Sequence, residues 1–245
     1  MRVYCKSDIG LMRNSNQDYC KTGIFPDGSA WAVVCDGMGG ANGGSTASSV
    51  AAETIASRLI EGYTANMDAE QIRSLMESAV DKANTAVYDI ARNDASLYGM
   101  GTTVVCAVVS HSTAHIIHAG DSRAYLFDGS HLHQVTTDHS IVQELVDLGK
   151  ITQEEARSHP NRNIITRALG IEPELCTDYN AENFQNCCQL IICTDGLSNY
   201  MTQESLLEYI RGSSGDELTD KLIESAKKLG GSDNITVAVV DGREA

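Results

Sequence analysis

Long apolar runs are missing from this chain. No stretch approaches the ~18 apolar residues of a membrane span, and Met1 to Gly10 holds no apolar core of the length a secretory leader needs. A cytoplasmic protein with no membrane partner is therefore expected. Basic residues are scarce as well: 18 Lys and Arg stand against 33 Asp and Glu, for a formal net charge of −15. Such a surface repels nucleic acid and anionic lipid, so no nucleic-acid partner is expected. If the chain handles phosphate, something local must reverse that field: a metal ion, an arginine, or both. Prolines number three and stand apart, and no repeat or low-complexity tract marks a linker. One domain over 1–245 is the simpler expectation. Finally, no C-x-x-C pair occurs among Cys5, Cys20, Cys35, Cys106, Cys176, Cys187, Cys188 and Cys193, which argues against zinc or dithiol redox motifs. Cysteines inside apolar runs read as small, reduced core residues.

What is present is an ordinary globular composition, 42% hydrophobic and 21% charged. A chain of this length buries roughly 70–75% of its unfolded surface, so neither a disulfide nor a structural metal is needed to hold it. Two long amphipathic helices are legible. Ile72, Leu75, Met76, Ala79, Ala83, Ala86, Val87 and Ile90 recur at three- and four-residue steps after an Asp68/Gln71 capping box. Val50, Ala51, Thr54, Ile55 and Leu59 mark another, from about Ser45 to Tyr63, opening after Gly43-Gly44.

Short β-branched runs at Trp31–Cys35, Thr102–Ser110, His115–Ala119, Ala124–Phe127, Leu190–Cys193 and Ile235–Val240 read as strands. Those between Thr102 and Val135 leave no room for crossover helices, so they pair antiparallel. A last helix, capped by Ser214 with Glu217 and stopped at Gly230-Gly231, precedes the final strand. The class is α+β, in layers. Residues 138–170 differ: Ser140 with Gln143 and Thr152 with Glu155 cap two short helices around Gly149, a helical excursion hung on the sheet. It reads equally as a lid or as a connection.

Three strands end in an aspartate at a turn: Ala-Val-Val-Cys-Asp36-Gly37, Ile-His-Ala-Gly-Asp121-Ser122 and Ile-Ile-Cys-Thr-Asp195-Gly196. Asp18 and Asp233 stand at the opposite ends of theirs, before Tyr19-Cys20 and Ile235–Val240. In an antiparallel sheet all five carboxylates would line one edge. Any one alone is an ordinary turn residue. Five together repel unless protonated or met by cations, and hard oxygen ligands suit magnesium or manganese.

His111, His115 and His118 fall on strand and turn, where their spacing does not put all three on one face, and they read as packed or exposed residues rather than ligands. His131 and His133 share a strand face without needing a metal. The glycines from Gly37 to Gly44 lack the Gly-Lys-Ser/Thr ending of a nucleotide loop.

Seven segments then occur in order: Gly10-Leu-Met-Arg13-Asn-Ser-Asn16-Gln17-Asp18, Asp36-Gly37-Met38-Gly39-Gly40, Met100-Gly101-Thr102-Thr103, Ala119-Gly120-Asp121-Ser122-Arg123, Asn163-Ile-Ile-Thr166-Arg167-Ala168-Leu169-Gly170, Thr194-Asp195-Gly196 and Gly231-Ser232-Asp233-Asn234-Ile-Thr236-Val. With these the chain resembles, nearly end to end, the metal-dependent serine/threonine protein phosphatases of the PPM (type 2C) family, its bacterial branch in particular. The resemblance implies a four-layer α/β/β/α sandwich, two antiparallel sheets flanked by helix pairs, with 138–170 as a flap. It implies hydrolysis of phosphoserine and phosphothreonine at a centre of two to three Mn2+ or Mg2+ ions.

In that pattern Asp36 would bridge two ions, Asp195 and Asp233 would complete the first, and Asp18 and the Gly37 carbonyl would serve the second. Asp121 with Asp195 matches the position of a third ion in bacterial members. Water activated between the ions would attack phosphorus in line with the leaving oxygen. Arg13 would clamp the phosphate, and His139 and Ser140 are candidate substrate contacts. Met38 stands where some members carry a histidine proposed as general acid, and Ala41 where some bacterial relatives have another; metal-bound water is the remaining candidate. The implied partners are phosphoproteins and a bacterial serine/threonine kinase, and the enzyme is expected to be a monomer. A tyrosine-phosphate or small-molecule preference stays open. So do a catalytically silent phosphoprotein-binding relative and a metal-stabilised structural domain, although all five ligand carboxylates remain.

Overall fold

The computed structural model describes residues 1–185 and 188–243, apart from the side chains of 41 and 42. Cys187 and the side chain of Ala41, both noted above, lie outside the described residues.

The chain opens with β1 (Arg2–Asp8), β2 (Asp18–Ile24) and β3 (Ala30–Met38), then runs through α1 (Gly40–Gly62) and α2 (Ala69–Asn93). A 3-10 turn leads to β4 (Gly101–Thr102), β5 (Val104–Ser110), β6 (Thr113–Ala119), β7 (Arg123–Phe127) and β8 (Leu132–Gln134). The excursion carries α3 (Ile141–Asp147) and α4 (Gln153–Ser158). It is followed by β9 (Asp178–Asn183), β10 (Gln189–Cys193), α5 (Asp195–Ser198), α6 (Gln203–Gly212), α7 (Gly215–Lys228) and β11 (Ile235–Asp241).

Two antiparallel sheets result. One has the order β1-β11-β10-β7-β8, the other β2-β3-β5-β6-β9 with β4 joined to the end of β3. Strand periodicity sorts the side chains into layers. In β3, Val33 and Cys35 meet Ile55, Leu59, Met76 and Val87 of α1 and α2, whereas Ala32 and Val34 face the other sheet. In β10, Leu190 and Ile192 fill the layer between the sheets, and Ile191 meets Leu206, Ile210, Leu218 and Leu222 of α6 and α7. The central strands are therefore apolar on both faces, each buried Leu or Ile contributing about 1.5–3 kcal/mol. The arrangement is the four-layer α/β/β/α sandwich. No helix among the described residues is long and apolar enough to cross a membrane.

Local signals decide most boundaries. The Asp68/Gln71 and Thr152/Glu155 capping boxes are both formed, and Ser140 Oγ accepts from the Gln143 amide at 3.2 Å. Ser214 does stand at the N-cap of α7, but no side-chain cap bond forms there. α1 begins at Gly40, not at about Ser45. The Gly43-Gly44 pair expected to precede the helix lies inside its first turns, because backbone meets backbone there. A Cβ on Gly37 would lie 2.0 Å from the Gly44 carbonyl oxygen, and one on Gly44 would lie 2.6 Å from that of Gly37. This contact fixes the end of β3, and with it Asp36, against α1.

A candidate metal and phosphate site where two sheets end

The five aspartates come together, but not along one sheet edge. Asp18 and Asp36 belong to β2 and β3 of one sheet, Asp195 and Asp233 adjoin β10 and β11 of the other, and Asp121 lies in the turn that crosses from β6 of the first to β7 of the second. Strand pattern alone cannot assign a strand to one of two stacked sheets, since both are apolar on both faces. The site sits where the sheets end side by side.

Asp18 and Asp36 are directly opposed in the β2/β3 register. Asp18 is buried, and its Oδ2 accepts from Thr194 Oγ1 of the other sheet at 2.9 Å. Thr194 also receives the Thr236 amide at 3.0 Å, so one hydroxyl ties Asp18, β10 and β11 together. Asp36, Asp121, Asp195 and Asp233 are half-buried. Thr103 braces Asp36, its hydroxyl accepting the Asp36 amide at 3.0 Å and pairing with Ser122 Oγ at 2.8 Å. Asn199 Nδ2 donates to Asp195 Oδ2 at 3.0 Å. One oxygen each of Asp18 and Asp195 is thus held by the chain, yet Asp18 Oδ1 and Asp195 Oδ1 are buried without a partner among the described residues.

That arrangement is costly for bare carboxylates. Burial, then repulsion from Asp195 and Asp138, pushes Asp121 up to about 8. Burial raises Asp18 to about 7, with Asp195 and Asp233 adding to the effect. Asp195 rises to about 6, by burial and by Asp233. Asp36 lies well above the usual carboxylate range because it is enclosed and faces Asp18, Asp195, Asp121 and Asp233. The cluster must be neutralised by protons or by cations, and orphaned hard oxygens fit divalent ions.

Arg13 is exposed on the loop between β1 and β2, its Nη2 2.7 Å from Asp233 Oδ2. Hydrogen bonding to Asp233 raises its guanidinium pKa further, so it is a permanent cation at the rim. The loop is shaped by Asn234, whose Oδ1 accepts from the Gln17 amide at 2.8 Å and whose Nδ2 donates to the Ile9 and Ser15 carbonyls at 3.0 Å. The sequence alone gives Asn234 and Thr194 no role, although each directly adjoins one of the five aspartates.

His139 and Ser140 are buried. His139 Nδ1 accepts from the Gly120 amide at 3.2 Å, and its own amide donates to the Gly120 carbonyl at 2.9 Å, so it grips the turn that presents Asp121. Its Nε2 lies 3.2 Å from both Asp178 and Arg167. Ser140 is the cap of α3 and bridges to Ile165. At the base of the excursion, Arg123 pairs with Asp138 through three hydrogen bonds of 2.9, 3.1 and 2.7 Å.

His118, His139 and Asp178 form a second cluster with metal-ligating groups. Arg167 already bonds Asp178 there at 2.8 Å, and the two imidazoles stack at 4.6 Å with planes 11° apart. Parallel rings do not converge two in-plane lone pairs on one ion, and the guanidinium supplies the positive charge. His115 is buried against the Tyr179 hydroxyl at 2.6 Å and His111 is exposed, so the three histidines share no site. His131 and His133 stand on the surface near Asp128 and Glu182.

Between the excursion and α5 runs a groove of about 770 Å³, reached by Asp121, Asp195 and Asp233 on one side and by Arg157, Arg162 and Tyr200 on others. A sandwich with acids at the junction of its sheets, beside an arginine and a peptide-sized groove, is the architecture of a metal-dependent phosphatase.

The family model for protein phosphatase 2C matches residues 13–231. A serine/threonine phosphatase, stp, of Listeria welshimeri is 36% identical over 244 residues, covering 98% of this chain and 96% of that one. A serine/threonine phosphatase structure from S. agalactiae superposes with a TM-score of 0.91 at 31% identity over 99% of both chains. The catalytic domain of the phosphatase PstP, in complex with two manganese ions, matches with a TM-score of 0.84 at 33% identity, over 98% and 97% of the two chains. The chain belongs to the protein phosphatase 2C (PPM) family. It is a metal-dependent serine/threonine protein phosphatase, acting on phosphoproteins.

Proposed function

We propose that Asp18, Asp36, Asp121, Asp195, Asp233 and the Gly37 carbonyl hold two to three manganese or magnesium ions, and that Arg13 clamps the phosphate of phosphoserine or phosphothreonine beside them. The observation that carries this reading is the pair of orphaned, buried oxygens on Asp18 and Asp195 within a cluster of five acids. Bound there, the ions would supply an activated water at neutral pH and charge to offset that developing on the phosphoryl group.

The chain supplies position. Asp36 faces all four other acids and would be the ligand shared between ions, with Asp195 and Asp233 to hold one and Asp18 and the Gly37 carbonyl to hold another. Arg13 has five donors, one of them on Asp233 here, so it can turn the rest to phosphate oxygens without leaving the rim. Met38 is half-buried and its thioether has no proton to give, so the leaving oxygen must take its proton from solvent or from water at the centre. His139 and Ser140 act by holding the Gly120–Asp121 turn and α3, and the groove beside them receives the polypeptide around the phosphorylated residue. Acting as one domain and as a monomer in the cytoplasm, the enzyme would oppose a bacterial serine/threonine kinase.

Two measurements test these assignments. Asp121→Asn should lower bound manganese, by equilibrium dialysis, by one ion per chain while the remaining ions stay; loss of all ions would remove the separate role given to Asp121. Arg13→Ala should cut kcat/KM for a phosphothreonine peptide about 10–100-fold, the worth of a charge-assisted hydrogen bond of about 1.5–3 kcal/mol. Because Arg13 is exposed, the melting temperature should hold, and unchanged kinetics would place the phosphate elsewhere.

A further inference from the structure

β1 and β2 are edge strands of the two different sheets, and they pass each other at the open side of the sandwich. Val3 and Cys20 both pack on the layer between the sheets, and Cys5 shares Val3's face of β1 by strand period. From β2, Thr22 Oγ1 donates to Cys5 Sγ at 3.8 Å, which sets that sulfur over the strand. Cys20, two residues before Thr22, projects from the same face of β2, which brings its thiol beside that of Cys5. Cys5 is exposed and Cys20 half-buried, whereas Cys35, Cys106, Cys188 and Cys193 are buried.

We propose that Cys5 and Cys20 are a modification site, a dithiol that hydrogen peroxide converts to a reversible cross-link between the two sheets. Cys5 is the more exposed of the two, and the neighbouring Cys20 thiol brings it down to about 6 while Cys5 and burial push Cys20 up, so Cys5 is the thiolate that reacts first. It attacks one peroxide oxygen, the O–O bond breaks, and Cys5 becomes a sulfenic acid as hydroxide leaves. The Cys20 sulfur then attacks the Cys5 sulfur, an S–S bond forms, and the sulfenic oxygen departs as water with the thiol proton. Two thiols lose two electrons in all, and one peroxide becomes two waters. A dithiol reductant reverses the step. The cross-link closes residues 5–20, including Arg13, into a ring.

The test treats the native, reduced protein with equimolar hydrogen peroxide, blocks remaining thiols, and maps digested peptides by mass spectrometry without reductant. The expected product is a peptide pair joined through Cys5 and Cys20, lighter by two hydrogens and split by dithiothreitol. In Cys20→Ser, Cys5 should instead be trapped as sulfenic acid by dimedone, and Cys5→Ser should leave Cys20 reduced. Cys5 still reduced in the wild type, Cys5 joined to any other cysteine, or the exposed Cys176 oxidised ahead of it would each overturn the proposal. Mapping the wild-type chain decides the matter even if a variant folds poorly.

Discussion

Asp36→Asn is expected to lower kcat/KM for a phosphothreonine peptide by about 10³ or more, and Asp195→Asn to do the same. A factor of 10³ is about 4 kcal/mol of lost transition-state stabilisation. That is the scale expected when the acid facing all the others loses its charge. The substitution keeps the size of the side chain and the backbone bonds from Thr103 that hold it. It also removes one carboxylate from a repelling cluster, so the melting temperature in EDTA at pH 8 should be equal or higher than in the wild type. Activity lost together with a lower melting temperature would point to damaged folding. Activity retained at more than a tenth of wild type would remove Asp36 from the centre.

The same cluster makes the metal-free protein sensitive to alkali. Asp195, Asp18 and Asp121 titrate at about 6, 7 and 8 in the folded chain, against about 3.9 when unfolded. Raised carboxylates bind more protons folded than unfolded, so the stability they contribute is present at low pH and is lost as pH rises through 6 to 8. A tenfold change in proton affinity is about 1.4 kcal/mol, and a chain of this size moves about 2–4 °C per kcal/mol. The melting temperature in EDTA should therefore fall by several degrees or more between pH 5 and 8. Manganese, taking the place of the protons, should flatten that slope and raise stability most at pH 8. A metal-free protein equally stable at both pH values would mean that the acids are solvated, not crowded together.

Much of this was legible in the sequence, for identifiable reasons. α2 announces itself through a capping box and eight apolar positions on one face, and the structure forms that box. Four of the aspartates stand out because each closes or opens an apolar run, whereas Asp18 begins the more polar β2. Other elements carry weaker signals. β1 holds Arg2, Lys6 and Asp8, and β9 reads Asp-Tyr-Asn-Ala-Glu-Asn; as edge strands they leave one side unpaired and need little apolar patterning. α6 is short, its packing resting on Leu206 and Ile210. α1 starts at Gly40 rather than about Ser45, because a glycine pair that reads locally as the lead-in to a helix serves here inside it, for close backbone approach to Gly37. The contacts by which Thr194 reaches Asp18, and His139 reaches Gly120, span different elements, and no local pattern encodes them.

The most direct test is phosphate release from a phosphothreonine peptide by the wild-type protein, first stripped with EDTA and then titrated with manganese at fixed pH. The carboxylate centre predicts no release without metal, recovery that saturates at two to three ions per chain, and none in Asp36→Asn at the same manganese concentration. Release that persists undiminished in excess chelator, or that returns equally in Asp36→Asn, would contradict it.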